Sequence, residues 1–401
     1  MTADDSASLQ RIDAATRKAI RDSFPMGSIM KYGTENPLTI HSADPQLFRA
    51  IYTLIAETMS VEGKLDRSTK EKIATMVSER NQCPVCIVAH TMMETVASGV
   101  EKSNNKTTEE LDGKTEIILK HAASVVDALE NTRQGRKEAT TNDEPISSLD
   151  EATQAEIALV VLIFDHMNRV VSAIMGEEMS TAMIGVPRVL ARQMEKPGLV
   201  AAMSRCLTSL LGGPFRVQNK PGMTQSLFIE DETEEMSSAF AASLPDHLSG
   251  VRFAGGERAI AVARLLEWSK SYETKLWNKG CSFLSRDLVG VLDRAIAQKT
   301  ASDIYAIGRH PGNTIRWANA CVEDFRSEID KLADQDAGSS IVALLLCLSL
   351  VPQVVYQSPF WDKTIQKLGK ERARCLVFWW SLRMTFRDAA RLKLSSNTVV
   401  K

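Results

Sequence analysis

Nowhere does this chain sustain an alternation of apolar and polar residues; its apolar side chains return at intervals of three and four. That spacing lines them along one face of an α-helix and argues against half-buried strands. The pattern predicts an all-α protein. Its strongest instance is Leu149 to Met175, with a continuous apolar run from Ile157 to Phe164. Further helices are predicted over 43–59, 66–81, 84–98, 116–129, 257–277, 284–299, 311–331, 338–356 and 362–393. Asp66 or Ser68 suits the N-cap of the second of these, and Gly99 reads as a stop. The polar stretches 101–114 and 131–149 read as loops. A short helix is predicted over 4–22.

With 401 residues and 44% hydrophobic content, the chain can bury the cores of two ordinary domains. Residues 1–40 read as an N-terminal extension, 41–195 as a first helical domain and 225–401 as a second. The Gly- and Pro-rich stretch near 195–225 separates them. Ile157–Val171 aligns without gaps to Ile341–Val355 in apolar pattern, though not at His166, Asn168 and Arg169. The second domain is therefore either a degenerate copy of the first or a case of two apolar helices converging. The net charge of −2 is spread along the chain, which argues against nucleic acid or an anionic membrane as partner. The N-terminus lacks the basic and apolar segments of a signal peptide, and 341–355 is too short to span a bilayer. The expected location is cytoplasmic.

One local cluster carries chemistry. Ser78 to His90 reads S-E-R-N-Q-C-P-V-C-I-V-A-H. Pro84 suits the first position of a helix, where its missing N–H is no loss. Cys83 then becomes the N-cap, and Cys86 falls in the first turn. Unpaired backbone N–H groups and the helix dipole favour a thiolate there. His90 follows Cys86 by four residues, one turn further along the same face. The other five cysteines are scattered singly, unlike a secreted disulfide framework. A closed zinc site needs four ligands, and only His90 stands near the pair. Two thiols and a base at a helix start suit dithiol redox chemistry.

Glu71 precedes Cys83 with eleven residues between, giving E-x11-C-x2-C-x3-H through Glu71, Cys83, Cys86 and His90. Ser78 and Asn81 add S-x-x-N-x-C. This pattern resembles the core of the alkylhydroperoxidase AhpD family, within the carboxymuconolactone decarboxylase-like superfamily, closely over 45–100. The resemblance implies an all-helical fold and peroxide reduction by the cysteine pair. It implies attack by Cys86, resolution by Cys83, and a proton relay through His90 and Glu71. It further implies a hydroperoxide substrate, a dithiol or protein reductant, no metal or organic cofactor, and a homo-oligomer. One departure is that Pro84 and Val85 stand between the cysteines, where family peroxidases often carry histidine or tyrosine.

Other readings remain beside this one. The fold is alternatively a scaffold whose cysteine pair senses redox state, or a catalyst of lactone decarboxylation that does not use the cysteines. His166 is either a satisfied buried histidine or a substrate-binding residue lining the site with Asp165 and Arg169. Trp379 and Trp380, adjacent on one helix, point about 100° apart, so one is expected at a helix–helix or subunit contact.

Overall fold

The computed structural model describes residues 37–61, 63–103, 108–133, 149–175, 220, 222, 224, 256–278, 286–297, 311–324, 335–356 and 358–391. The helix expected over 4–22, most of the 195–225 boundary, Cys206 and Cys281 lie outside them. The fold is all-α. Among the described residues there are eleven α-helices and two 3₁₀ turns, Thr39–Ala43 and Pro352–Val354. We number the helices α1 (Pro45–Met59), α2 (Arg67–Arg80), α3 (Pro84–Ser103), α4 (Thr108–Arg133), α5 (Glu151–Ile174) and α6 (Gly256–Asn278). They continue as α7 (Arg286–Ala297), α8 (Pro311–Asp324), α9 (Gln335–Leu350), α10 (Pro359–Leu368) and α11 (Lys370–Arg391).

Three aspartates start the helices that build the first half. Asp44 accepts from the Gln46 and Leu47 amides, Asp66 from Thr69 at 2.7 Å and Asp150 from Thr153 at 2.7 Å. Each such cap stabilises its helix by about 1 kcal/mol. Their effect is to fix where α1, α2 and α5 begin, and hence which residues face inward.

Helix α5 is the axis of the molecule. It touches α1, α2, α3, α4, α11 and the 3₁₀ turn at Pro352–Val354. Among the described residues it is the one helix long and apolar enough to cross a membrane, yet its apolar window is wholly buried by its neighbours. A single apolar cluster runs from Ile51 and Leu54 on α1, through Val160 and Ile163 on α5, to Leu265 on α6 and Leu344 on α9.

Buried charges join the two halves. The Glu156 carboxylate accepts from the Lys64 amide at 2.7 Å and pairs with Lys70 at 2.8 Å. Arg258 of α6 reaches Glu156 at 3.7 Å and donates to the Glu57 carbonyl at 2.9 Å. Glu57 in turn accepts from the Thr224 amide and hydroxyl. Burial pulls the Lys70 ammonium below its usual range, and Glu156 opposes that pull. A charge this deep persists only when paired and hydrogen-bonded, which this cluster achieves.

Several boundaries differ from the sequence reading. Helix α3 passes through Gly99 to Ser103, and α4 starts at Thr108, inside the predicted loop. The long helix expected over 362–393 is two helices, broken at Gly369, whose φ of 80° suits glycine alone. Helix α9 ends at Leu350, where Pro352 opens a 3₁₀ turn. Trp379 and Trp380 are both fully buried. Helix α11 packs against α4, α5, α6, α9, α10 and the first 3₁₀ turn, which together cover both rings. Both rings lie at helix–helix contacts, Trp379 against Tyr272 of α6 and Trp380 donating to Ser349 of α9 at 2.7 Å.

Candidate functional site

The site is assembled by α2, α3 and α5. The link from α2 to α3 is short and fixed. Asn81 closes α2, and Gln82 takes the left-handed conformation at φ 52°. The Cys83 amide then donates to Ser78 O at 3.0 Å, and the Gln82 amide to Glu79 O at 3.1 Å. These are the two bonds of a Schellman ending, normally built on glycine. Cys83 is both the last residue of that motif and the N-cap of α3, since its carbonyl accepts the Ile87 amide at 3.0 Å. The cysteine pair is thereby locked to the end of α2.

The two sulfurs lie 2.7 Å apart, within hydrogen-bond distance. Both residues are buried, Cys83 completely and Cys86 to within 5%. The Cys83 thiol is more acidic than usual. Its largest support is the hydrogen bond with Cys86; burial opposes it, and the Ser172 hydroxyl and the Cys86 and Val85 amides add to it. Cys86 is pushed well above the usual thiol range, first by burial and then by the Cys83 charge beside it. The acidity thus sits on Cys83, whereas the helix-start argument allowed it to either cysteine and the resemblance gave it to Cys86. The N-cap position explains this, because its side chain is the one that receives the free amides of the first turn.

Glu71 and His90 meet from neighbouring helices. His90 Nδ1 is 2.6 Å from Glu71 Oε2. Arg67, one turn before Glu71 on α2, pairs with its other oxygen at 2.5 Å. Burial alone would raise the Glu71 carboxyl, but Arg67 and His90 together hold it below its usual value. Glu71 is therefore an ionised, fully buried acceptor that fixes the orientation of His90. Phe164 of α5 stands edge-on to the His90 ring at a centroid distance of 4.3 Å.

Helix α5 turns Phe164, Asn168 and Ser172 toward α2 and α3 at four-residue steps, one above another. The Asn168 carboxamide contacts Ser78 Oγ at 3.2 Å through Oδ1. Asp165 reaches the end of α2 rather than the sulfurs, and His166 and Arg169 turn toward the second half of the chain. Asp165 accepts from Asn81 Nδ2 at 3.1 Å and from Arg169 Nε at 3.3 Å. Arg169 donates onward to the Leu348 and Ser349 carbonyls at the end of α9. His166 Nδ1 is 2.9 Å from Ser381 Oγ, and its ring lies 5.6 Å from that of His41. His166 is held below its usual range by burial and then by His41; burial takes His41 itself down to about 4. His166 is about 200° around α5 from Asn168, on the side away from the sulfurs.

Four residues outside the motif support it, each through a different member: Arg67 on Glu71, Phe164 on His90, Asn168 on Ser78 and Ser172 on Cys83. Among the described residues no group of three or more His, Cys, Asp or Glu side chains is placed to hold a metal ion. Chemically, the arrangement offers a stabilised thiolate, a second thiol touching it, and an imidazole oriented by a carboxylate.

No curated protein and no solved structure matches the chain. A family model does, over 45–103, and these bounds coincide with the start of α1 and the end of α3. Residues 45–103 are similar to the carboxymuconolactone decarboxylase family by this match, and the Glu71, Cys83, Cys86 and His90 cluster lies inside the matched segment.

Proposed function

We propose that the chain is a dithiol oxidoreductase that reduces hydroperoxides through a Cys83–Cys86 disulfide. The observation that carries this reading is the contact between an acidic Cys83 sulfur and the Cys86 sulfur at 2.7 Å. In the first step the Cys83 thiolate attacks the distal peroxide oxygen. The O–O bond breaks, a sulfenic acid forms on Cys83, and the leaving oxygen departs as water or alcohol once protonated. The proton comes from the Cys86 thiol, which becomes the second thiolate. Cys86 attacks the sulfenic sulfur, the disulfide forms, and the expelled hydroxide takes a proton from His90. Glu71 keeps His90 oriented for that transfer. An external dithiol then reduces the disulfide by exchange.

The resemblance gives first attack to Cys86; the amide and hydroxyl support on Cys83 favours the order written here. A turnover assay tests the proposal: many equivalents of hydroperoxide should be consumed with a dithiol donor, and Cys83→Ser and Cys86→Ser should each abolish it. One round of oxidation without turnover would instead favour a redox-sensing scaffold. The burial of both sulfurs supports that second reading.

A further inference from the structure

The turn that leads into Cys83 contains a residue ill suited to it. Gln82 sits at φ 52°, in the left-handed region where glycine is the usual occupant. A side chain there disfavours that shape, so the turn persists only if its surroundings hold it. Gln82 itself is exposed, and the residue before it supplies a hold. Asn81 Nδ2 donates to Asp165 Oδ1 at 3.1 Å. An ionised carboxylate only accepts, so the amide end of Asn81 is the end that faces it. The other Asp165 oxygen accepts from Arg169 Nε at 3.3 Å and from Thr385 Oγ1 of α11 at 3.4 Å. Arg169 also donates to the Leu348 and Ser349 carbonyls at 3.2 and 3.0 Å. Both carbonyls belong to the last turn of α9, where a helix has no amide of its own to offer them. Asp165, Arg169 and Thr385 each expose 5% or less. A run of buried hydrogen bonds therefore leads from α9 and α11, in the second half of the chain, to the residue just before the left-handed one.

We infer that Asp165 and Arg169 are positioning residues for the cysteine pair: by gripping Asn81, they let the second half of the chain hold the Cys83 turn in shape. Once released, Gln82 can fall into the right-handed region that side chains prefer and prolong α2. Cys83 then leaves the start of α3. It loses the first-turn amides and the contact with Cys86, which are what favour its thiolate. Residues 225–401 lie outside the family match, and this gives them a role at the site: they anchor the far end of the strut. The inference rests on the acidity of Cys83 and on the geometry of the turn. It holds whether or not the pair turns over peroxide.

The test labels the reduced protein with iodoacetamide across a range of pH, locates the label by mass spectrometry, and follows urea unfolding in parallel. Asn81→Ala cuts the strut at the site and leaves the buried Asp165–Arg169 pair intact, so the fold should survive. At a pH below the wild-type transition its Cys83 rate should fall at least about tenfold, as for one lost hydrogen bond to a charged group. Gln82→Gly added to Asn81→Ala should restore most of that rate, because glycine keeps the left-handed shape unaided. Arg169→Lys retains a charge beside Asp165 but loses the fork that spans the carboxylate and the two carbonyls. It should move the profile to higher pH as well, and Gln82→Gly should again reverse the change. A lower urea midpoint with the Cys83 profile unmoved is what a merely structural role predicts, and it would overturn the inference. So would a slowing that Gln82→Gly does not relieve, since the effect would then not run through the turn. A wild type labelled first at Cys86 would remove the acidity on which the inference rests, and the inference with it.

Discussion

The Cys86→Ala variant tests the proposed source of the Cys83 acidity. Cys83 is buried, which by itself disfavours its charged form; the hydrogen bond with Cys86 at 2.7 Å is its largest compensation. A hydrogen bond to a charged group contributes roughly 1.5–3 kcal/mol. Since 1.4 kcal/mol is a factor of about ten, losing that bond should cut the thiolate fraction at a fixed pH below the transition at least about tenfold. The backbone donors from Val85 and Cys86 and the Ser172 hydroxyl remain in the variant, so some acidity should survive. The assay is the rate of iodoacetamide alkylation against pH, with the labelled residue located by mass spectrometry. In wild type the first label should fall on Cys83. In the variant the rate profile should move to higher pH while its plateau stays similar. A variant that alkylates like wild type at every pH, or a wild type labelled first at Cys86, would refute the assignment.

Two further outcomes follow from the same contacts. Glu71→Gln removes the charge shared by Arg67 and His90 and should cost about 2 kcal/mol at neutral pH, as for hydrogen bonds to a charged group, measured by urea unfolding. Because Glu71 is held below its usual value in the fold, its contribution is present above the unfolded carboxylate value and is lost as pH falls through the folded one. The gap between variant and wild type should therefore close in acid, and a gap that stays constant with pH would contradict the pairing. Gly63→Ala would place a Cβ 2.8 Å from the Glu156 carboxyl carbon. That carboxylate is held by Lys70 and the Lys64 amide, so relief requires breaking buried bonds, and a loss of about 2 kcal/mol in the urea midpoint is expected for such overpacking.

The chemistry-bearing core of the site was legible because it is local. Glu71, Cys83, Cys86 and His90 span twenty residues, and helix geometry alone brings Cys86 and His90 to one face. Asp66 and Pro84 announced their helix starts. Asn168 and Ser172 were not legible, because their contacts with Ser78 and Cys83 exist only once α5 packs against α2 and α3. His166 drew notice as a lone histidine in an apolar run, yet its partners are Ser381 and His41, from the far side of α5. Gly99 failed as a stop: glycine weakens a helix by only about 1 kcal/mol, and Val96 and Ala97 just before it are buried. The helix–helix contact expected from the adjacent Trp379 and Trp380 is met by both rings, because α11 is packed on several sides.

Mass spectrometry of the reduced protein after one equivalent of hydrogen peroxide bears most directly on whether these two sulfurs work together. The expected product has lost two hydrogens, with the bond mapped between Cys83 and Cys86 and restored to thiols by an added dithiol. A stable oxygen adduct on one cysteine, or a bond to any other cysteine, would contradict the account.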